Sequence, residues 1–217
     1  MAIDFEFVWW ERLYELCFRL YEQIIESKYQ PDVIVGVARG GWIPARILSD
    51  LFFTRDTANV KVDLYRGIYA RDQEPQISQK IPRDMKWETP LLVDDISDTG
   101  DSLIIAREHL EQRGYKDPRT ATMHMKPWTK HVPDYYVVKT EAWVVYPWEL
   151  KEFTFNLSSQ LAKKGKSRHE IAGHLFEVGV PIHYAKMFLD QWVQLHSSSL
   201  KEGKTKAKTK KSKSKKT

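Results

Sequence analysis

The chain has 217 residues, 42 % of them hydrophobic and 29 % charged, which suits one α/β domain with a modest addition. No apolar run approaches the roughly 20 residues of a membrane span, the acidic N-terminus MAIDFEFVWW lacks the basic start of a signal peptide, and the single Cys17 excludes an intrachain disulfide. The formal net charge of +5 belongs to a tail: residues 201–217 hold nine lysines and one glutamate, so the other 200 residues carry −3.

Residues 7–27 set Trp9, Leu13, Leu16, Leu20 and Ile24 on one helical stripe, with Cys17 inside the apolar pattern as a small buried residue. Pro31 ends that element, and Asp32–Val37 reads as a short buried strand. A tight loop, Ala38-Arg39-Gly40-Gly41, leads to a helix over Trp42–Phe53, and Val60–Tyr65 alternates as a strand. Residues 66–90 are polar, hold three prolines and show no period, as a functional lid or an unstructured loop would.

The next unit is a strand, Leu91–Val93, running into Asp94-Asp95-Ile96-Ser97-Asp98-Thr99-Gly100-Asp101-Ser102 and a helix to about Arg113, with Gly114 as its stop. Thr120–Met125, Tyr135–Val138 and Ala142–Val145 read as further strands. Strands alternating with helices predict an α/β fold, a mainly parallel sheet covered on both faces, with ligands at the carboxyl ends of the strands. Both Gly40-Gly41 and the loop 94–102 fall at such ends. Residues 151–199 change character. A helix around Lys151–Lys163, a capping box at Ser167 and Glu170 ahead of Ile171, Leu175 and Val178, and a stop at Gly179 predict a helical appendage. Pro181 suits the first turn of its last helix, with an apolar stripe Tyr184, Phe188, Trp192 and Leu195. Residues 200–217 hold no large apolar side chain after Leu200 and read as a disordered, solubilising tail whose lysines could add weak, unspecific contacts to nucleic acid. The domain plan is therefore 1–150 for the core, 151–199 for the appendage and 200–217 for the tail.

Loop 94–102 carries the chemistry. An apolar strand delivers two adjacent carboxylates, Asp94 and Asp95, into a turn that opens a helix. Helix N-termini present unpaired N–H groups and the positive end of a dipole, which suits phosphate. Gly100 permits close backbone approach, while Thr99 and Ser102 add hydroxyl donors. The carboxylates would repel that phosphate unless they faced sugar hydroxyls, a metal or a proton. A ligand with a phosphate, a diol and a magnesium-bound group would satisfy the loop. An EF-hand does not fit, because the twelfth residue from Asp95 is Ala106, and the Gly-Lys-Ser/Thr ending of a Walker loop is absent. His169 and His174, five apart, point about 140° apart round a helix and cannot share a metal as HExxH histidines do.

The segment Val93–Ser102 resembles the motif by which type I phosphoribosyltransferases bind 5-phosphoribosyl-1-pyrophosphate (PRPP), and Val35–Gly41 resembles their pyrophosphate loop. Lys126-Pro127-Trp128, Pro133–Val138 and Trp143–Glu149 are similar to the base-binding end of xanthine-guanine and archaeal 6-oxopurine enzymes. The resemblance covers roughly residues 5–150. It implies that Asp94 and Asp95 hold the ribose hydroxyls, partly through Mg2+. It further implies that Ser97, Thr99, Gly100, Asp101 and Ser102 cradle the 5′-phosphate, and that Asp98 handles the proton at purine N7. Ala38, Arg39, Gly40 and Gly41 would face pyrophosphate through a non-proline cis peptide at Ala38-Arg39. Trp143 would stack on the base, the Val144 backbone and Glu149 would meet its edge, and Lys126 would reach the 6-position. Loop 66–90 would close over PRPP.

An ammonium only donates, so Lys126 favours an oxygen at the 6-position. The helices after residue 150 point the other way, because the whole chain is similar to crenarchaeal adenine phosphoribosyltransferases with a three-helix extension. The expectation is therefore adenine salvage giving AMP and pyrophosphate in a cytoplasmic homodimer, with hypoxanthine, guanine or xanthine as the alternative base. A second class stays open: residues 167–196 resemble a helix-turn-helix, as in a PRPP-sensing transcription regulator, although Tyr184, Phe188 and Trp192 are poor base readers.

Overall fold

The computed structural model describes residues 4–65, 74–81 and 88–196. The expected lid at 66–90 therefore falls partly, and the Lys-rich tail wholly, outside the described residues. Contacts divide the chain into two compact units, residues 10–141 and the joined segments 1–9 and 142–217.

The first unit is a six-stranded sheet of order β4-β3-β2-β5-β6-β7. Its strands are β2 (Val33–Ala38), β3 (Thr57–Tyr65), β4 (Glu74–Gln79), β5 (Pro90–Ser97), β6 (Arg119–Met125) and β7 (Tyr135–Lys139). All pairings are parallel except β3–β4. The order reverses between β2 and β5, so their carboxyl ends flank the crevice where such sheets bind ligands. Helices α1 (Trp10–Glu26) and α2 (Trp42–Leu51) pack on β6, β7, β2 and β5, while α3 (Asp101–Glu111) packs on β2 to β5. The six-residue β2 is buried throughout, as a central parallel strand covered on both faces must be. Val33, Val35, Val37 and Leu92 meet Leu103, Ala106 and Leu110 of α3 in one core. Leu13, Leu16, Cys17, Leu20 and Ile24 bury the inner stripe of α1.

Three expectations shift here. Part of 66–90 is a strand: β4 pairs antiparallel with β3 and seats Ile77 against the core. The strand expected at Leu91–Val93 runs on to Ser97 and carries both aspartates into the sheet. Trp9 lies outside the first helix, which begins at Trp10.

The second unit joins the two halves of a small parallel sheet, β1 (Phe5–Phe7) and β8 (Trp143–Val145), with Phe5 opposite Trp143. Helices α4 (Leu150–Lys163) and α5 (Arg168–Glu177) follow, and α6 starts at 182 and continues to 196, the last described residue. The unit boundary thus falls at 142 rather than 150, because β8 pairs with β1. The Ser167–Glu170 capping box is formed in both directions. Gly179, at φ 109°, turns the chain so that the Val180 amide reaches back to the Leu175 carbonyl. Pro181 precedes the helix rather than opening it, and its carbonyl accepts from the Ala185 amide. The inward stripe of α6 is Ala185, Leu189 and Trp192, while Leu195 is exposed.

Candidate active site

The end of β2 and the end of β5 meet through two glycines. Gly41 has ordinary helical torsions, so its requirement is space: a Cβ there would lie 2.2 Å from the Val93 carbonyl oxygen and 2.7 Å from that of Val37. At Gly40 a Cβ would lie 2.1 Å from a carboxylate oxygen of Asp95. The peptide between Ala38 and Arg39 is cis.

Asp94 and Asp95 are both buried. The Asp95 amide donates to Asp94 Oδ1 at 2.9 Å, and the Ile96 amide to Asp95 Oδ1 at 2.8 Å. Burial, with the Asp95 carboxylate beside it, holds the Asp94 carboxyl well above the usual carboxylate range; amide hydrogen bonds from Asp95 and Gly41 pull it part of the way back. Two crowded buried carboxylates call for a cation, and hard oxygen donors are what Mg2+ takes. That ion is commonly held by one or two protein carboxylates together with substrate oxygens. The donor set at Asp94 and Asp95 fits it.

Gly100, at φ 86°, is the N-cap of α3, and a Cβ there would meet the His131 amide nitrogen and Thr129 Oγ1 at 2.7 Å. A segment the sequence reading undervalued, residues 126–131, grips the loop from below. The Ser97 hydroxyl lies 2.8 Å from Thr129 Oγ1 and donates to the His131 carbonyl at 3.0 Å. Lys130 Nζ donates to Asp101 Oδ1 at 2.9 Å, which lowers the Asp101 pKa. The Lys130 amide donates to the Thr99 carbonyl at 2.9 Å. Trp128 Nε1 donates to Asp98 Oδ1 at 2.9 Å and so orients that exposed carboxylate. Lys126 is buried, with its ammonium 5.5 Å from the centre of the Trp128 ring. The structure therefore collects Ala38 to Gly41, Asp94, Asp95, Ser97 to Ser102 and Lys126 at the carboxyl edge of one sheet. Ser97 differs from the others in being 1 % exposed with its hydroxyl turned to the supporting loop.

The remaining three candidate residues lie in the second unit. Trp143 is 57 % exposed, offering a ring face. Val144 is buried and pairs with Glu6 in the β1–β8 sheet, and Glu149 is the N-cap residue of α4. Trp143 and Glu149 line one cleft.

A sheet whose switch point carries a glycine-paired loop and an acidic strand-to-helix turn defines a nucleotide- or phosphosugar-handling α/β protein. Residues 9–155 match the phosphoribosyl transferase domain, and the chain belongs to that family. Its relatives include enzymes named for purine bases. It is 31 % identical over 151 residues to the xanthine-guanine phosphoribosyltransferase of Gluconobacter oxydans (strain 621H), covering 68 % of this chain and 86 % of that one. Among solved structures it resembles the purine phosphoribosyltransferase from Pyrococcus horikoshii Ot3, with 40 % identity, a TM-score of 0.61, and coverage of 67 % of this chain and 94 % of that one. The Helicobacter pylori xanthine-guanine-hypoxanthine phosphoribosyltransferase, at 22 % identity and a TM-score of 0.61 over 72 % of this chain and 99 % of that one, shares the fold.

Proposed function

We propose that the protein transfers the 5-phosphoribosyl group of PRPP to a 6-oxopurine, giving the nucleoside monophosphate and pyrophosphate. The observation that carries the reading is the seat of the Asp95 carboxylate against Gly40 at the switch point, with Asp94 beside it and the opening of α3 five residues beyond Ile96. Relatives named for xanthine and guanine favour a 6-oxopurine over the adenine expected from the sequence. A buried Lys126 agrees, since its ammonium can only donate.

In this reading Asp94 and Asp95 orient the ribose diol and hold Mg2+, which would neutralise charge on the departing pyrophosphate when bound. The amides opening α3, with Thr99 and Ser102, receive the 5′-phosphate. The backbone at Ala38 to Gly41 faces pyrophosphate. Asp98, steered by Trp128, takes the proton from the attacking base, a contribution of typically ~10²–10⁴-fold. Trp143 stacks on the base, while Val144 and Glu149 meet its edge. Holding the two reactants in line supplies much of the remaining barrier reduction.

Adenine is the second reading, favoured by three helices after residue 149, two of which lie beyond the family match at 155. Pyrophosphate release from PRPP and Mg2+, measured separately with guanine, xanthine, hypoxanthine, adenine and no base, decides between them. Release with adenine alone would replace the 6-oxopurine reading, and base-independent behaviour would reject the transferase. A homodimer is part of the proposal. Trp10, Tyr14, Phe18 and Ile25 repeat along the outer face of α1, each at least 43 % exposed, an apolar stripe that a second copy of the chain would cover.

A further inference from the structure

In the unit built from β1, β8 and α4 to α6, a cleft of about 370 Å3 opens between the small sheet and α4, within the ~300–1,000 Å3 range of small-molecule pockets. One side is apolar: Phe5 and Trp143, paired in register across the sheet, with Val145 and Phe153. The other side is polar and comes from α4 and its N-cap, where Glu149, Glu152, Asn156, Gln160 and Lys163 follow at spacings of three and four and share one helix face. Ser159 is already engaged, donating to the Phe155 carbonyl and accepting from Trp192 Nε1. The Asn156 and Gln160 amides make no side-chain hydrogen bond among the described residues. Both residues lie past 155, where the family match ends.

We infer that α4 provides the base-selecting edge of this cleft: a purine ring lies on Trp143, and the Asn156 and Gln160 amides, with Glu149, read its polar edge. The inference rests on the purine-transfer reading above and extends it to residues that the family segment does not contain. The chemistry also narrows the substrate. Carboxylates at Glu149 and Glu152 only accept, the Lys163 ammonium at the other end of the face only donates, and each amide between them offers one acceptor oxygen and two donor hydrogens. At its Glu149 and Glu152 end such an edge suits a base that presents an exocyclic amino group. Guanine and adenine do so. Xanthine and hypoxanthine do not, and a 2-oxo group set against a carboxylate is repelled. Adding a hydroxyl or a methylene to an apolar pocket changes selection only modestly, whereas an unmet hydrogen bond is penalised far more heavily.

The test uses the full chain with Asn156→Ala, Gln160→Ala and the double variant. The readouts are kcat and KM for guanine, adenine, hypoxanthine and xanthine at saturating PRPP, KM for PRPP, equilibrium dialysis of guanine and adenine, and thermal unfolding. Both residues are exposed and alanine is a good helix former, so folding should survive. The expected result is a KM for the preferred amino-purine raised by roughly tenfold or more in the double variant, with xanthine and hypoxanthine changed by less than about threefold, PRPP KM unchanged, and the dialysis constant weakened in parallel. An unchanged amino-purine KM in a double variant that unfolds at the wild-type temperature would overturn the inference and leave the transferase reading standing. Absence of base-dependent pyrophosphate release from the wild type would overturn the transferase reading and this inference with it.

Discussion

Three glycine-to-alanine substitutions separate the demands that the fold and the site make on one loop. At Gly41 the new methyl would sit 2.2 Å from the Val93 carbonyl oxygen and 2.7–2.8 Å from backbone atoms of Val37. Ordinary contact needs about 3.4 Å, so a shift of about 1.2 Å must be found between backbones of the two central strands, neither of which has a rotamer to yield. Overpacking of a well-packed core typically costs ~1–3 kcal/mol, and a clash with backbone on two sides belongs at or above the upper limit. At Gly40 the obstacle is the Asp95 carboxylate, 2.1 Å away. A side chain can rotate, so the stability loss should stay near ~1 kcal/mol while the carboxylate leaves its seat. Gly114 is the control: its φ is 93° and nothing lies within 4 Å, so alanine pays only left-handed strain of roughly 1–2 kcal/mol. Urea unfolding and PRPP-dependent pyrophosphate release would be measured for all three. The expected pattern is a large stability loss for Gly41→Ala, a small one with at least about a tenfold fall in kcat/KM for Gly40→Ala, and a small one with unchanged activity for Gly114→Ala. Wild-type activity in Gly40→Ala would refute the assignment of the Asp95 seat to the reaction. Wild-type stability in Gly41→Ala would refute the packing argument.

Other outcomes follow from single contacts. Asp98→Asn should leave PRPP binding nearly intact and lower turnover at least about tenfold, read by calorimetry and steady-state kinetics; unchanged turnover removes Asp98 from the mechanism. Ser167→Ala removes the hydroxyl half of the capping box, leaving the residue-167 amide to donate to Glu170, and should cost ~1 kcal/mol in urea unfolding without touching activity, since the hydroxyl bonds to Glu170 alone. Cys17 is buried and its thiol is pushed up to about 12, so iodoacetamide at pH 8 should leave it unmodified until the protein is unfolded. Burial alone would raise the Asp134 carboxyl, but hydrogen bonds from the Thr120 amide and hydroxyl and from Arg119 outweigh it and lower its pKa. A lowered carboxyl stabilises above the ordinary value near ~4 and loses that contribution as pH falls through the folded value. The stability gap between wild type and Asp134→Asn should therefore be full at pH 6 and shrink below about pH 4.

Much of the parallel core was legible in the sequence because its signals are local. The run Val33 to Val37 is apolar without alternation, and Gly40-Gly41 and Gly100 sit at strand and helix ends where only close approach explains them. The length of β5 was not legible. Asp94 and Asp95 break the apolar pattern, and nothing local says that two carboxylates can be carried inside a strand when amides and a glycine cradle them. Strand β4 was hidden for a related reason: Pro75 and the polar residues around Ile77 mark an edge strand, which needs no apolar run. The β1–β8 pair was missed because FEFVWW continues the helical stripe of α1 in any short window, and its partner lies far along the chain. The grip of residues 126–131 on the 97–101 loop depends on Ser97 meeting Thr129, and Asp98 meeting Trp128, which are tertiary pairings with no sequence period.

The pairing of Phe5 with Trp143 also bears on how the chain is made. A ribosome adding some 5–20 residues per second releases β1 first, and everything from Trp10 to Glu141 must emerge before β8 can receive it. The unit at 10–141 can close on itself during that interval. The helices that follow cannot complete their core, since Phe5 and Phe7 are part of it. Strand β1 thus waits for β8 before it is paired, and disrupting β1 would act on the helices after β8 before it acted on the sheet that carries Asp94 and Asp95.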